Sequence, residues 1–469
     1  MLRHPTMVLI TLMLGTSMAA IDTSIVNISL PVIRHQFNAN VDEVEWVITA
    51  YMISFTLFIP LITWLKSRIG YFHLYAGSVA IFTIGSLLCS LSHSLPLLVA
   101  ARVIQATGGG AVTPTSLAIL SESFPAERRG TAIGWWGLGN VMGPAIAPTL
   151  GGVLTHYFGW ESVFYVNIPI GIATLILTYR YLSYLRDRTW TPMTFDFRGF
   201  AWLSLFIVSL QYSISTTSKH GQIPATICGS AATILFLWLF IRGSRRTSQP
   251  LLDLTVFRSV NFVNSAIIVV IRSIGLFGGM FFLPFLLQGL LGYTTIQSGL
   301  LMLPNAMMML VARPFAGRKA DEGLIRNISV IGIVLLASSM YLFARINAGA
   351  SVWLIILPMT IRGIGISFLV APVSTALLNS VTLDQTSTAT SLNSLLQQLG
   401  GSIGIAVFGV LHQFIYTHYL HKGYPAQLAE HFALQDGFFT SAIVVGLALI
   451  PAIRLPQRHV VRITEKTIS

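Results

Sequence analysis

Apolar runs of about 20 residues, each enough to cross a hydrocarbon core of about 30 Å, recur along the whole chain. Fourteen can be read, near 7–30, 45–65, 71–92, 95–119, 131–155, 164–184, 199–217, 223–241, 262–288, 296–317, 327–346, 352–377, 389–414 and 437–454. Lipid offers no partner to a backbone N–H or C=O, so a spanning run must satisfy its own backbone as a helix. The expectation is an all-α integral membrane protein with fourteen transmembrane helices. The 469 residues are 54% hydrophobic and 9% charged, against about 25% charged in soluble domains. Little water-facing surface is left to hold charge.

The formal charge of +12 invites a nucleic-acid reading, which the placement of the basic residues opposes. With the N-terminus inside, 20 of the 28 Lys and Arg fall in cytoplasmic segments, among them Arg180, Arg186, Arg188 and Arg198 in one loop and Arg242, Arg245, Arg246 and Arg258 in another. Outside loops hold Arg34, Lys219, Arg345 and Lys422. This bias follows the positive-inside rule and predicts both termini to be cytoplasmic, with no nucleic-acid partner. The start "MLRHPTMVLITLMLGTSMAA" mimics a signal peptide, but polar motifs continue past the mock cleavage site, so it reads as a first helix. Cys89 and Cys228 sit in different spans and suggest neither a disulfide framework nor a metal site.

A weak internal repeat divides the chain. "PLITWLKSRIG" (60–70) ends span two and "PFAGRKADEG" (314–323) ends span ten; "RVIQATGGGAVTP" (102–114) and "RGIGISFLVAP" (362–372) lie in spans four and twelve. The offsets, 254 and 260 residues, fit one duplication. The expected organisation is a six-helix bundle over 1–185, cytoplasmic loops and a two-helix insert over 186–258, and a second six-helix bundle with a cytoplasmic tail over 259–469. Parallel six-helix repeats are the signature of major facilitator transporters, whose substrate site lies near the midplane between the halves.

Six motifs in register make the resemblance specific. "IDTSIVNISLP" (21–31), "RVIQATGGGAVTP", "GPAIAPTLGG" (143–152), "WESVFYVNIPIG" (160–171), "PLLDLTVFRSVNF" (250–262) and "LGGSIGIAVFG" (399–409) resemble those of the fourteen-span drug:proton antiporters of the EmrB/QacA type. The resemblance implies a proton-coupled antiporter exporting amphiphilic compounds across a bacterial cytoplasmic membrane, driven by the proton gradient without a cofactor. It also implies a periplasmic adaptor and an outer-membrane channel as partners if the source is Gram-negative. An exporter of a specific endogenous solute, such as a lipid, siderophore or amino acid, is the alternative. No G-x-x-x-x-G-K-[ST] loop appears, so transport is not directly ATP-driven. An enzyme would need a concentrated polar site and a sensor a soluble output domain; the spans and short loops offer neither.

The helix "GNVMGPAIAPTLGG" carries Gly139, Gly143, Gly151 and Gly152 with Pro144 and Pro148. Small residues allow close helix approach and prolines kink the axis. Tight packing alone would account for them; the resemblance adds a seal that limits proton leak. In "TWLKSRIGYF" (63–72), Arg68 and Gly70 match the family's cytoplasmic loop motif, but Ser67 stands where an aspartate is usual. The second-half copy keeps Asp321, which reads either as a cytoplasmic latch or as a solvated loop charge.

Charge within spans is the sharper signal, because it is costly there and marks function. Asp22 lies in span one, against Arg102, Arg272, Arg313 and Arg362 in spans four, nine, ten and twelve. Burial favours a neutral acid and a nearby cation favours the carboxylate, so a site that alternately hydrates changes its affinity for a proton. Asp22 with Arg102 is therefore the expected coupling pair; a helix-bracing hydrogen bond is the competing reading. Asn27, Gln105, Arg272, Phe277, Phe281, Gln288 and Arg362 are the expected cavity residues, while Arg313 reads as snorkelling to the cytoplasmic surface. One acid against four arginines favours neutral or anionic substrates over dications, and no metal site is expected.

Overall fold

The computed structural model describes residues 4–39, 41–186, 193–217, 223–347 and 349–456. Among them no strand occurs. The helices run α1 (Pro5–Gln36), α2 (Val41–Phe58), α3 (Leu61–Ser90), α4 (Leu95–Ser123), α5 (Ala126–Trp136), α6 (Leu138–Phe158), α7 (Ser162–Tyr165), α8 (Asn167–Tyr181), α9 (Phe197–Thr217), α10 (Ile223–Ser244), α11 (Val260–Pro284), α12 (Thr295–Asp321), α13 (Ile325–Phe343), α14 (Trp353–Asn379), α15 (Thr386–His421), α16 (Ala426–Leu447) and α17 (Leu449–Ile453). The termini expected to be cytoplasmic fall largely outside the described residues.

Among the described residues, twelve helices are long and apolar enough to cross a membrane, and Trp46–Phe58 is a shorter apolar helix. The expected fourteen spans are approached without being separately resolved, for local reasons. Pro60 divides span two, so its last turns continue from Leu61 into the helix that also holds span three. Gly70, at φ 70°, makes the reversal between those spans, a left-handed conformation that a side chain would disfavour. Gly137 likewise splits span five into α5 and α6. Where the chain enters α12, Thr294 and Gln297 form a reciprocal capping box, and Ser259 caps α11 by accepting from the Phe262 N–H.

Apolar packing crosses the expected division. One buried cluster joins Leu12, Tyr51, Phe72, Phe82, Val112 and Trp136 of the first half with the insert helices, through Ile207 and Phe240, and with Phe262, Leu377 and Leu392 of the second half. A second joins Phe282, Leu336, Met359, Phe408 and Phe438 of the second half. The insert helices α9 and α10 pair through Ser213–Ser230 and Thr233–Ser209 hydrogen bonds. Helix α9 lies against α2 and α15, where the Gln211 amide donates to Ser402 Oγ at 3.1 Å.

Candidate functional site

Asp22 sits on α1 with no exposed surface, bonded by polar groups from two other helices. Arg102 Nη1 on α4 donates to Asp22 Oδ2 at 2.7 Å. Its neighbour one turn on, Gln105, donates through Nε2 to Asp22 Oδ1 at 2.8 Å. Asn167 Nδ2, at the start of α8, donates to the same oxygen at 2.9 Å. The carboxylate thus accepts three hydrogen bonds, one from a cation. Such satisfaction is what makes a buried charge tolerable.

The arginine is held from every side. Its Nη1 also donates to Gln105 Oε1 at 2.5 Å, and its Nε donates to the Val47 carbonyl of α2 at 3.3 Å. The guanidinium lies over the Tyr51 ring, 3.9 Å from its centroid, with the Phe164 ring at 5.7 Å. Gln105 Nε2 further donates to Ser86 Oγ at 2.7 Å, and the Cys89 thiol approaches Gln105 Oε1 at 3.7 Å. Arg102 therefore keeps partners apart from Asp22: an amide oxygen, a backbone carbonyl and an aromatic face. The cluster has a bonded arrangement for the cation whether the carboxyl carries a proton or not.

The glycine-rich helix fixes α1 in this position. A methyl group at Gly143 would collide with the carbonyl oxygen of Ala20, two residues before Asp22, and one at Gly139 would lie 2.9 Å from the Met13 carbonyl oxygen. Gly152 has open space around it and takes no part in this contact, while Gly151 is buried. The side chains of Pro144 and Pro148 lie outside the described residues, as does that of Asn27.

The expected cytoplasmic ends of the halves are joined through the second-half loop motif. Asp321 Oδ1 accepts from the Gly130 N–H at 2.6 Å, and Oδ2 accepts from the N–H and Oγ1 of Thr131 at 2.7 and 2.6 Å. These groups lie in the second turn of α5, so the carboxylate is held close to the N-terminal end of that helix. Gly130 and Gly317 face each other so closely that a methyl on either would strike the other's carbonyl oxygen. Arg129 Nη1 donates to Asn379 Oδ1 at 2.5 Å. Arg313 is buried rather than snorkelling: its Nη1 donates to the Gly137 carbonyl between α5 and α6. In the first-half copy the position of Asp321 is taken by Ser67, which bonds within its own half and to the loop that follows it. Ser67 Oγ donates to the Trp64 carbonyl and accepts from the Met193 N–H, and Arg68 is exposed.

The remaining cavity candidates are dispersed. Gln105 belongs to the Asp22 cluster. Phe277 packs on Gly401 of α15, and Phe281 joins Phe282 and Phe285 in an aromatic group beside His412. Gln288 is exposed on the π-helical turn Phe285–Leu290. Arg272 and Arg362 are buried in the second half, on α11 and α14. Among the described residues, no group of three or more metal-ligating side chains occurs. Sequence reading missed Asn167, Tyr51, Ser86 and Cys89; only Asn167 had a signal, as the asparagine of "WESVFYVNIPIG".

Comparison with known proteins agrees with this architecture. The Major Facilitator Superfamily profile matches residues 12–405. A Mycobacterium tuberculosis protein named multidrug resistance protein B homolog is 32% identical over 86% of this chain and 76% of its own length. The Escherichia coli multidrug export protein EmrB is 29% identical over 85% of this chain and 78% of its own. The crystal structure of the human organic anion transporter MFSD10 superimposes with a TM-score of 0.70 at 14% identity, covering 96% of this chain and 99% of that one, a likeness of fold. The chain belongs to the Major Facilitator Superfamily, with EmrB/QacA-type relatives.

Proposed function

We propose that this protein is a proton-coupled antiporter that exports amphiphilic compounds across the bacterial cytoplasmic membrane, acting as a carrier without a cofactor. The observation that carries the reading is Asp22: a carboxylate with no exposed surface, held by Arg102, Gln105 and Asn167 from two neighbouring helices. Relatives named for multidrug resistance and export support the efflux part. Proton relay is among the usual roles of an acid inside a span.

Protonation of Asp22 at Oδ2 removes the charge and the acceptor that Arg102 faces, while Oδ1 remains a weaker, neutral acceptor for Asn167 and Gln105. Arg102 then rests on Gln105 Oε1, the Val47 carbonyl and Tyr51. The tie from α1 to α4 and α8 weakens, and the relative stability of the two orientations of the carrier changes. The Asp321 bridge between α12 and α5 has the geometry of a latch on the expected cytoplasmic end. For a Gram-negative source, the reading includes a periplasmic adaptor and an outer-membrane channel, with both termini cytoplasmic.

Transport of a fluorescent amphiphile into proteoliposomes, acid inside, tests this. Uptake should follow the imposed pH gradient and collapse when nigericin dissipates it. Uptake that persists unchanged after collapse would contradict proton coupling.

A further inference from the structure

Trp136 and Gly137, where α5 meets α6, touch both the helix that carries Asp22 and the second half of the molecule. The buried Trp136 indole donates through Nε1 to Thr16 Oγ1 of α1 at 3.0 Å. Thr16 lies less than two helical turns before Asp22, has no exposed surface and itself donates to the Leu12 carbonyl at 2.9 Å. The next residue, Gly137, gives its carbonyl to Arg313 Nη1 of α12. A methyl group at Gly137 would lie 2.8 Å from that nitrogen and push it away.

Neither side of this joint has slack. Helix α12 rests on Gly130, Gly134 and Gly137, whose spacing of four and three residues puts them on one face. A methyl at Gly134 would lie 2.6 Å from the Arg313 carbonyl oxygen. On the other side, Gly139 and Gly143 bring α6 against Met13, Ser17 and Ala20 of α1. Contacts packed this closely pass a displacement on instead of absorbing it. Arg313 is buried and its Nε has no partner. A shift of the joint therefore deprives a buried cation of its acceptor, which is a costly state.

We propose that Arg313 is a positioning residue for proton coupling, acting through the Trp136–Gly137 joint. This rests on the export reading and names how the proton site is tied to the second half. Protonation of Asp22 loosens α1 from Arg102, and a shift of α1 carries Thr16 and, with it, Trp136. Gly137 follows as the next residue, its carbonyl leaves Arg313, and α12 is freed from the first half. With Asp22 ionised and no substrate bound, the joint stays seated and the halves stay locked. Without the Arg313 clasp the empty, ionised carrier also reorients, so substrate slips back without a proton moving the other way.

The test reconstitutes wild type, Arg313→Gln, Gly137→Ala and Trp136→Phe in proteoliposomes with a fluorescent amphiphile. Each is assayed for exchange at equal pH and for accumulation driven by an imposed pH gradient. Gly137→Ala keeps the arginine and favours the helix, so it displaces the clasp while preserving the fold. Trp136→Phe keeps an aromatic ring and removes the N–H. Each variant should exchange within about twofold of the wild type yet accumulate about fivefold less or lower still. Because both act on one joint, Trp136→Phe combined with Arg313→Gln should lose no more than the larger single loss. Wild-type accumulation in the folded variants, exchange and accumulation falling in equal proportion, or multiplied losses in the double variant would each overturn the assignment. A coupled wild type with fully coupled variants removes this inference alone. A wild type that exchanges substrate but ignores the gradient removes the proton-coupled reading and this inference with it.

Discussion

Arg102 and Arg362 occupy corresponding places in the internal repeat, yet their surroundings share almost nothing. Arg102 has a carboxylate, an amide oxygen, a carbonyl and an aromatic face. Arg362 has two nitrogens with no partner at all. A structural bracing role would be expected to satisfy both arginines alike, since the helices around them are packed alike. The difference teaches that duplication supplied a cation at each site and that the halves then diverged in what completes it. The loop motif diverged in the opposite sense: the second half kept its acid as Asp321, while the first has Ser67.

The comparison breaks most readily on stability. Arg102→Ala strands a carboxylate among neutral donors and should cost about 3–5 kcal/mol, as when one partner of a buried pair is removed. Arg362→Leu removes a cation with no partner to strand, and should be neutral or stabilising. Thermal unfolding of purified ligand-free protein distinguishes them; similar losses would show that Arg362 is a structural arginine. A smaller contrast is expected between the two copies of the loop motif. Asp321→Ala removes a charged acceptor of three hydrogen bonds and should cost about 1.5–3 kcal/mol, whereas Ser67→Ala should cost about 1 kcal/mol or less. Equal effects would deny that the latch is one-sided.

Much of this was legible in the sequence, because lipid enforces simple rules. Long apolar runs marked the helices, and the cost of charge in hydrocarbon singled out Asp22 and Arg102. Their partnership was expected from span one facing span four. Other parts depended on distances that no linear pattern encodes. Tyr51 reaches Arg102 only because α2 packs beside α4, and Gln105, expected to line a cavity, turns instead to the carboxylate. Asn167 lay in a recognised motif, but its motif gave no direction for its side chain. The sequence of span ten alone lets Arg313 reach the surface; the packed α5–α6 joint supplies it with a carbonyl instead. Span counting fell short where Gly70 and Pro60 merge two runs into one helix.

The central claim is that Asp22 carries the coupled proton, and Asp22→Asn in proteoliposomes tests it most directly. Asparagine keeps the size of the side chain and can still accept from Arg102, but cannot ionise. One preparation is assayed twice, for substrate exchange at equal pH and for uptake driven by an imposed pH gradient. The account predicts that exchange survives while gradient-driven uptake falls to the level of empty liposomes. Gradient-driven uptake by Asp22→Asn at the wild-type rate would contradict it and leave the carboxylate as a brace for α1.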